Sequence, residues 1–351
     1  MIPHYKNIHN RFKINEFHLN KDSLFQLAYS FIKEGEEFEK EIGLFLLDWL
    51  DDNEFVVVNT SGTTGKPKEI KVSKQAMVNS AIATGDYFDL KPGDSVLHCL
   101  PSRFIAGKMM LVRAIILGLE LDIVSPNSRL EKNFKNYDFT AMVPVQVENN
   151  FEKLNQFRKL IIGGAQPSLN LIEKLIQIKG LKAYETYGMT ETITHIAAKE
   201  LNSEYFKVLP EITISTDDRE CLVIDAPRIT SEKIVTNDIV QIHSKNQFKW
   251  LGRIDNVINS GGIKLFPEQI EKKLEKFISD RFFVSSEKDE RLGNRVVVVI
   301  ESKPFEFDKA IFNNLEKFEL PKEVYFVDAF DETKTGKVNR METLKKVRTV
   351  R

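Results

Sequence analysis

Residues 60–68 read Thr-Ser-Gly-Thr-Thr-Gly-Lys-Pro-Lys, a composition suited to holding a polyphosphate. Gly62 and Gly65 let backbone N–H groups approach anionic oxygens closely. The hydroxyls of Thr60, Ser61, Thr63 and Thr64 add donors, and Lys66 and Lys68 add positive charge. The loop fails the Walker pattern, which needs a longer glycine spacing and a Ser or Thr after its lysine; here Pro67 follows Lys66. A second group, Tyr187-Gly188-Met189-Thr190-Glu191-Thr192, places a carboxylate among hydroxyls. That suits Mg²⁺, which takes oxygen ligands and shares them with substrate phosphates. Tyr187 could cover a purine ring. Thr236-Asn237-Asp238 offers one more carboxylate, and residues 251–264 pack Gly252, Arg253, Asp255, Gly261 and Gly262 into one short stretch. Near the C-terminus, Lys334-Thr335-Gly336-Lys337-Val338-Asn339-Arg340 sets a lysine in a basic loop. Taken singly, each has a plainer reading: a turn, a capped helix start, a surface aspartate, a solvated tail.

The elements around these groups must bring them together. The apolar run Phe55-Val56-Val57-Val58 reads as a buried strand leading into the first loop, with a helix capped by Ser73 after it. Helical segments are expected over 24–31, 38–49, 108–117 and 168–179. Strands are expected over 95–100, 121–124, 139–143, 160–162 and 182–186. This alternation predicts a layered α/β domain with ligands beyond the carboxyl ends of its strands, so the loops at Thr60, Gly163-Gly164 and Tyr187 would converge. Past residue 205 the pattern shifts to a small β subdomain with a hairpin around Lys245-Asn246. From Asp255 a separate α+β pattern begins, with helices over 267–277 and 308–318 and strands over 295–300 and 324–327. The predicted organisation is a large α/β N-terminal domain, 1–254, with its β subdomain, and a small mobile α+β domain, 255–351.

Fifty basic against 51 acidic residues leave a formal charge of −1, so no global field recruits nucleic acid or an anionic membrane. Cys99 and Cys221 are the only cysteines and read as buried free thiols. The N-terminus lacks the apolar core of a signal peptide, and no run is long enough to insert in a bilayer, which points to the cytoplasm. Nothing in the sequence sets the oligomeric state.

Four motifs in this order resemble the acyl-adenylate-forming superfamily of acyl- and aryl-CoA ligases, nonribosomal-peptide adenylation domains and luciferases. They are TSGTTGKPK at 60–68, YGMTET at 187–192, the GRID–NSGGIK segment at 252–264, and TGKVNR at 335–340. The resemblance implies a carboxylic acid substrate, ATP with Mg²⁺, and coenzyme A. Carboxylate and ATP would give acyl-AMP and pyrophosphate, and a thiol would then take the acyl group. By matched position, Thr60 to Lys68 would hold the β- and γ-phosphates and Gly164 would line the nucleotide site. Tyr187 and Gly188 would lie against adenine, Thr190 would meet the α-phosphate, and Glu191 would bind Mg²⁺. Asp238 and Arg253 would hold the ribose. Asp255 matches the hinge, Gly261 and Gly262 the pantetheine tunnel, and Lys337 the lysine that bridges carboxylate and α-phosphate. A pre-positioned ammonium there would stabilise charge that grows as the carboxylate attacks.

Only 59 residues precede Thr60, fewer than is typical of the family, so one subdomain is expected to be trimmed. Phe104 takes the place of a gating aromatic or histidine. Softer likenesses in Val143-Pro144-Val145-Gln146, residues 161–167 and Ala197-Ala198-Lys199-Glu200 point to the menaquinone-pathway branch that activates o-succinylbenzoate. Such a diacid needs donors for its unreacting carboxylate, and Arg103 and Lys108 are the candidates. Other aryl- or acyl-CoA ligases, a carrier-loading adenylation enzyme acting in trans and a non-catalytic nucleotide binder stay open. Retention of both Glu191 and Lys337 argues against the last.

Overall fold

A computed structural model describes residues 3–59, 69–130, 135–304, 308–332 and 338–349. The chain opens with a two-strand ribbon, β1 (Lys13–Ile14) and β2 (Phe17–His18). A helical hairpin follows, α1 (Lys21–Glu34) and α2 (Glu37–Leu50). Asn20 caps α1 by accepting from the Ser23 N–H, while the Ser23 hydroxyl accepts from the Asn20 N–H. Next come β3 (Phe55–Asn59) and β4 (Glu69–Ser73), paired antiparallel with Asn59 opposite Glu69.

This pairing corrects one expectation. The strand before the hydroxyl-rich loop is not buried on both faces: Val56 and Val58 are buried, while Phe55 and Val57 are exposed. Residues 60–68 therefore fall in sequence between two paired strands, and β4 precedes the helix. The apolar run concealed this because all four residues are hydrophobic although only alternate ones face the core.

Ser73 caps α3 (Lys74–Phe88) as expected, accepting from the Ala76 N–H. Then follow β5 (Ser95–His98), α4 (Ile105–Leu117), β6 (Glu120–Ile123), β7 (Tyr137–Met142), α5 (Pro144–Asn149), β8 (Phe157–Ile162), α6 (Leu169–Leu175) and β9 (Lys182–Gly188). β5 pairs in parallel with both β6 and β7, and β7, β8 and β9 continue in parallel. The chain leaves β5 for one side and returns on the other, so a topological switch point lies at the carboxyl ends of β5 and β7. The segments that follow β5, β7, β8 and β9 all emerge along this edge: Cys99 onward, Val143 onward, Gly163-Gly164 and Met189 onward.

The sheet continues antiparallel through β10 (His195–Glu200), β11 (Phe206–Val208), β12 (Thr213–Thr216), β13 (Cys221–Asp225), β14 (Ile234–Ser244) and β15 (Gln247–Arg253). Beyond it lie the hairpin β16 (Ile258–Ser260) and β17 (Ile263–Leu265), helix α7 (Pro267–Leu274), and a three-stranded sheet of β18 (Phe282–Asp289), β19 (Gly293–Glu301) and β20 (Glu323–Val327). Helix α8 (Arg340–Thr349) ends the described chain. The helix expected over 308–318 is only a 3₁₀ segment, Lys309–Asn314, and α6 stops at Leu175. The apolar clusters built on the sheet draw on residues up to Trp250, and those beyond it begin at Ile258. Among the described residues, no helix is long and apolar enough to cross a membrane.

Candidate active site

At the end of β9, Tyr187 sets its ring against the stacked pair Phe206 and Phe248, with centroids 5.9 and 5.3 Å away. Its hydroxyl donates to Asp238 Oδ2 at 2.6 Å. Burial first, and the neighbouring Asp238 second, push the Tyr187 hydroxyl far above its ordinary pKa, so it stays a donor. Asp238 lies opposite Arg253 in the β14–β15 ladder. Trp250 Nε1 donates to its Oδ1 at 3.3 Å, and the Arg253 guanidinium stands 3.6 Å away. The ladder thus brings Tyr187, Asp238 and Arg253 into one cluster: an aromatic edge, a carboxylate with lone pairs left to accept hydroxyls, and a half-exposed cation. Arg253 also reaches Asp255 at 3.3 Å, in the 3₁₀ turn Ile254–Asn256.

After Gly188 the chain makes a tight 3₁₀ turn over Thr190–Thr192. The buried Thr192 hydroxyl accepts from the Met189 N–H at 2.9 Å, and the Ile193 N–H donates to Thr190 O at 2.9 Å. Ile193 then adopts φ +67° and ψ −52°, with the Thr194 N–H donating to Thr192 O at 2.7 Å. This is a positive-φ γ-turn, an uncommon conformation that costs about 1–3 kcal/mol for a β-branched residue. Burial of the Ile193 side chain offsets part of that cost. Gly188 is required beside it, because a Cβ there would stand 2.4 Å from Thr194 O and 2.5 Å from His195 Cα. The result is a rigid turn that leaves Glu191 exposed at its tip with Thr190 beside it. Gly164, at φ +83°, follows the neighbouring strand β8.

An exposed carboxylate beside hydroxyls fits a Mg²⁺ ion shared with phosphate oxygens. Among the described residues no group of three His, Cys, Asp or Glu could cage a metal, so phosphate would have to complete the shell. The Glu191 site fits that role, and the Tyr187–Asp238–Arg253 cluster fits a nucleoside.

In the gate segment both candidate cations face α2. Arg103 pairs with Glu41 of α2 at 3.0 Å, its own N–H donates to the same carboxylate, and its guanidinium covers the half-exposed Phe104 ring. Lys108 lies over Phe45 of α2, and burial lowers its pKa. Both cations tie the gate to α2. Beneath them His98 Nε2 and Ser102 Oγ are 2.9 Å apart, both buried, and burial pushes His98 down to about 4. Gln146 bonds Cys99 O at 2.7 Å and Asn127 O at 3.2 Å, joining the ends of neighbouring segments.

Sequence reasoning missed Arg113. It is 2% exposed on α4, donates to Thr194 Oγ1 at 3.0 Å, and meets no carboxylate among the described residues. Its Nε finds no partner there either, and burial lowers its pKa to about 10. An arginine in the apolar run Met109-Met110-Leu111-Val112-Arg113-Ala114-Ile115 was the available signal.

Thr60, Ser61, Gly62, Thr63, Thr64, Gly65, Lys66, Lys68 and Lys337 lie outside the described residues. The last motif can be followed from Val338 onward. Arg340 pairs with the half-buried Glu271 of α7 at 2.7 Å and donates to Val284 O at 3.1 Å. Gly261 and Gly262 form the β16–β17 turn at φ +58° and +82°, and the Gly261 N–H donates to Leu292 O.

A family model described as AMP-binding enzyme matches residues 32–230, more than half of the chain. A 2-succinylbenzoate–CoA ligase from Bacillus cytotoxicus is 25% identical over 334 residues, covering 82% of this chain and 69% of that protein. The crystal structure of an acyl-CoA synthetase (AMP-forming)/AMP-acid ligase II-like protein from Dyadobacter fermentans is 34% identical. It superposes with a TM-score of 0.62 over 92% of this chain and 98% of its own. An o-succinylbenzoate coenzyme A synthetase from Bacillus subtilis, solved with ATP and magnesium, is 19% identical with a TM-score of 0.70, over 93% of this chain and 82% of its own. At that identity the last shows the shared fold.

Proposed function

Since the chain belongs to the AMP-binding enzyme family, which includes AMP-forming acid–CoA ligases that use ATP and Mg²⁺, we propose that it activates o-succinylbenzoate and passes the acyl group to coenzyme A. The observation that carries this reading is the Tyr187–Asp238–Arg253 cluster beside the Glu191 turn, which puts nucleoside and metal–phosphate groups in reach of one edge. The named relative from Bacillus cytotoxicus supports the choice of acid.

In this mechanism Tyr187 flanks the adenine while Asp238 and Arg253 hold the ribose. Glu191 carries the Mg²⁺, which supplies positive charge on the phosphate oxygens when bound. Thr190 donates to the α-phosphate, and Gly164 leaves backbone open to the nucleotide. Thr60 to Lys68 grip the departing pyrophosphate. Lys337 aligns the attacking carboxylate and meets the charge that develops on the α-phosphoryl oxygens, where a fixed cation lowers the barrier more than it stabilises the ground state. The 255–351 unit then turns about Asp255, and Gly261 and Gly262 line the path of the thiol arm.

Arg113 is the better cation for the unreacting carboxylate. A buried guanidinium without an anionic partner is costly, and an incoming carboxylate would supply that partner. Arg103 and Lys108 are already engaged with α2.

The test is acid-dependent pyrophosphate release across a panel of aryl, acyl and dicarboxylic acids. o-Succinylbenzoate is expected to give the highest kcat/KM. Higher turnover of a simple monocarboxylate would replace it as substrate, and release by no acid would overturn the ligase reading.

A further inference from the structure

Behind the Glu191 turn runs a chain of polar groups whose direction is set by the carbonyl at its α3 end. Arg113 has only donors, and its Nη2 donates to Thr194 Oγ1 at 3.0 Å. The hydrogen of the Thr194 hydroxyl is then free to donate, and His195 Nδ1 lies 3.2 Å away. The Thr194 oxygen keeps a second lone pair, so the direction of this contact is set from the other side of the ring. Nε2 faces Thr84 Oγ1 at 3.4 Å, and the Thr84 hydroxyl donates to Ser80 O at 2.9 Å within α3. A carbonyl can only accept, so the Thr84 oxygen takes its hydrogen bond from Nε2–H, and the neutral ring leaves Nδ1 to accept from Thr194. Thr84, His195 and Arg113 are all buried. Burial, and the nearby Arg113 charge, hold His195 well below its ordinary pKa, in accord with the neutral ring that the bonding requires.

This chain grips the residue on the far side of the strained peptide. Thr194 closes the γ-turn at Ile193 through its N–H, while its side chain is tied to α4 by Arg113 and to α3 through His195 and Thr84. His195 also lies opposite Gly188 in the β9–β10 ladder, so both ends of the Gly188–Thr194 turn are fixed against it. We propose that His195, locked as the neutral Nε2–H tautomer between Thr194 and Thr84, is a positioning residue that holds the Thr190–Glu191 turn in its metal–nucleotide-binding geometry. The inference rests on the reading of Glu191 and Thr190 as Mg²⁺–ATP groups.

The experiment measures MgATP affinity by calorimetry on the full chain for His195→Phe, His195→Asn and Glu191→Gln, with thermal unfolding recorded for each. Phenylalanine fills the space but leaves the Thr194 hydroxyl without its acceptor. Asparagine returns an amide oxygen near the Nδ1 position. His195→Phe is expected to weaken MgATP by about tenfold, on the scale of one lost hydrogen bond in a part-buried network. His195→Asn should recover most of that loss. Affinity for the acid in the absence of nucleotide should hold within about twofold, well under the roughly 1.4 kcal/mol of a tenfold change. Nitrogen-15 shifts of the wild-type ring should report Nε2–H. Unchanged MgATP affinity in His195→Phe, no recovery in His195→Asn, or an Nδ1–H ring would each overturn the proposal. If Glu191→Gln binds MgATP as tightly as wild type, the reading of the turn itself fails. A loss in Glu191→Gln without one in His195→Phe sinks the positioning role alone. If unfolding of His195→Phe removes all binding, the tautomer and the His195→Asn affinity decide.

Discussion

Arg113 holds its charge where no described carboxylate meets it, whereas Arg103 directs its own to Glu41 at the surface. Arg113→Met is therefore expected to lower the preference for o-succinylbenzoate over an analogue lacking the unreacting carboxylate by about 10–100-fold in kcat/KM, on the scale of a charge-assisted hydrogen bond. Arg103→Ala should leave that preference nearly intact. An unchanged ratio in the first variant, or a collapsed one in the second, would reverse the assignment. At Lys337 the prediction concerns the half-reactions: Lys337→Ala should slow adenylation by about 10²–10³-fold. Thioester formation from preformed acyl-AMP should largely survive, and equal loss of both steps would contradict the role. Residues of this kind were legible unevenly. Tyr187, Asp238 and Arg253 stand in motifs dense with polar groups, and the structure brings them within hydrogen-bond or ion-pair reach of one another. Arg113 sits alone in an apolar helix, and only the tertiary contact with Thr194 shows what its charge faces.

The γ-turn after Thr192 could not be read from Glu191-Thr192-Ile193-Thr194, because isoleucine disfavours positive φ and only packing against the core and the Thr194 contacts hold it there. Its dependence on Gly188 gives a stability test. Gly188→Ala would press a methyl group against Thr194 O and the His195 backbone, which cannot move aside as a side-chain tip can. It is expected to cost about 1–3 kcal/mol, read as a lower denaturation midpoint, together with weaker MgATP binding. A variant as stable as wild type would show that the hairpin is looser than its geometry. Helix and strand types were largely legible from periodicity, as at α3 with its Ser73 cap and at the β14–β15 hairpin. The errors have local causes. In β3 an unbroken apolar run hid a strand with only one buried face. In the 308–318 segment, Phe312 reaches the core from a 3₁₀ turn, so helical spacing overstated the helix.

Polar contacts join the 255–351 unit to the rest of the chain. Gln269 donates to Leu251 O at 2.9 Å and to Trp250 O at 3.3 Å, Lys276 pairs with Glu173 at 2.5 Å, and Lys264 pairs with Glu220. Exposed pairs of this sort contribute about 0–1 kcal/mol each, weak enough to break during a rotation. Asp255→Pro is accordingly expected to impair one half-reaction more than the other, measured by rapid-quench kinetics. Unchanged turnover of both would argue against a hinge at that residue. The order of motifs and the change of pattern are what suggest a division at Asp255 in the sequence. For the acid the sequence offers only soft likenesses, and the buried charge of Arg113 is exposed as a candidate only by its tertiary surroundings. Mass analysis of a reaction containing the protein, ATP, Mg²⁺, coenzyme A and o-succinylbenzoate tests the central claim most directly. The account expects o-succinylbenzoyl-CoA and AMP in equal amounts, with no thioester when ATP is omitted. ADP in place of AMP, or AMP formed without any acyl-CoA, would contradict it.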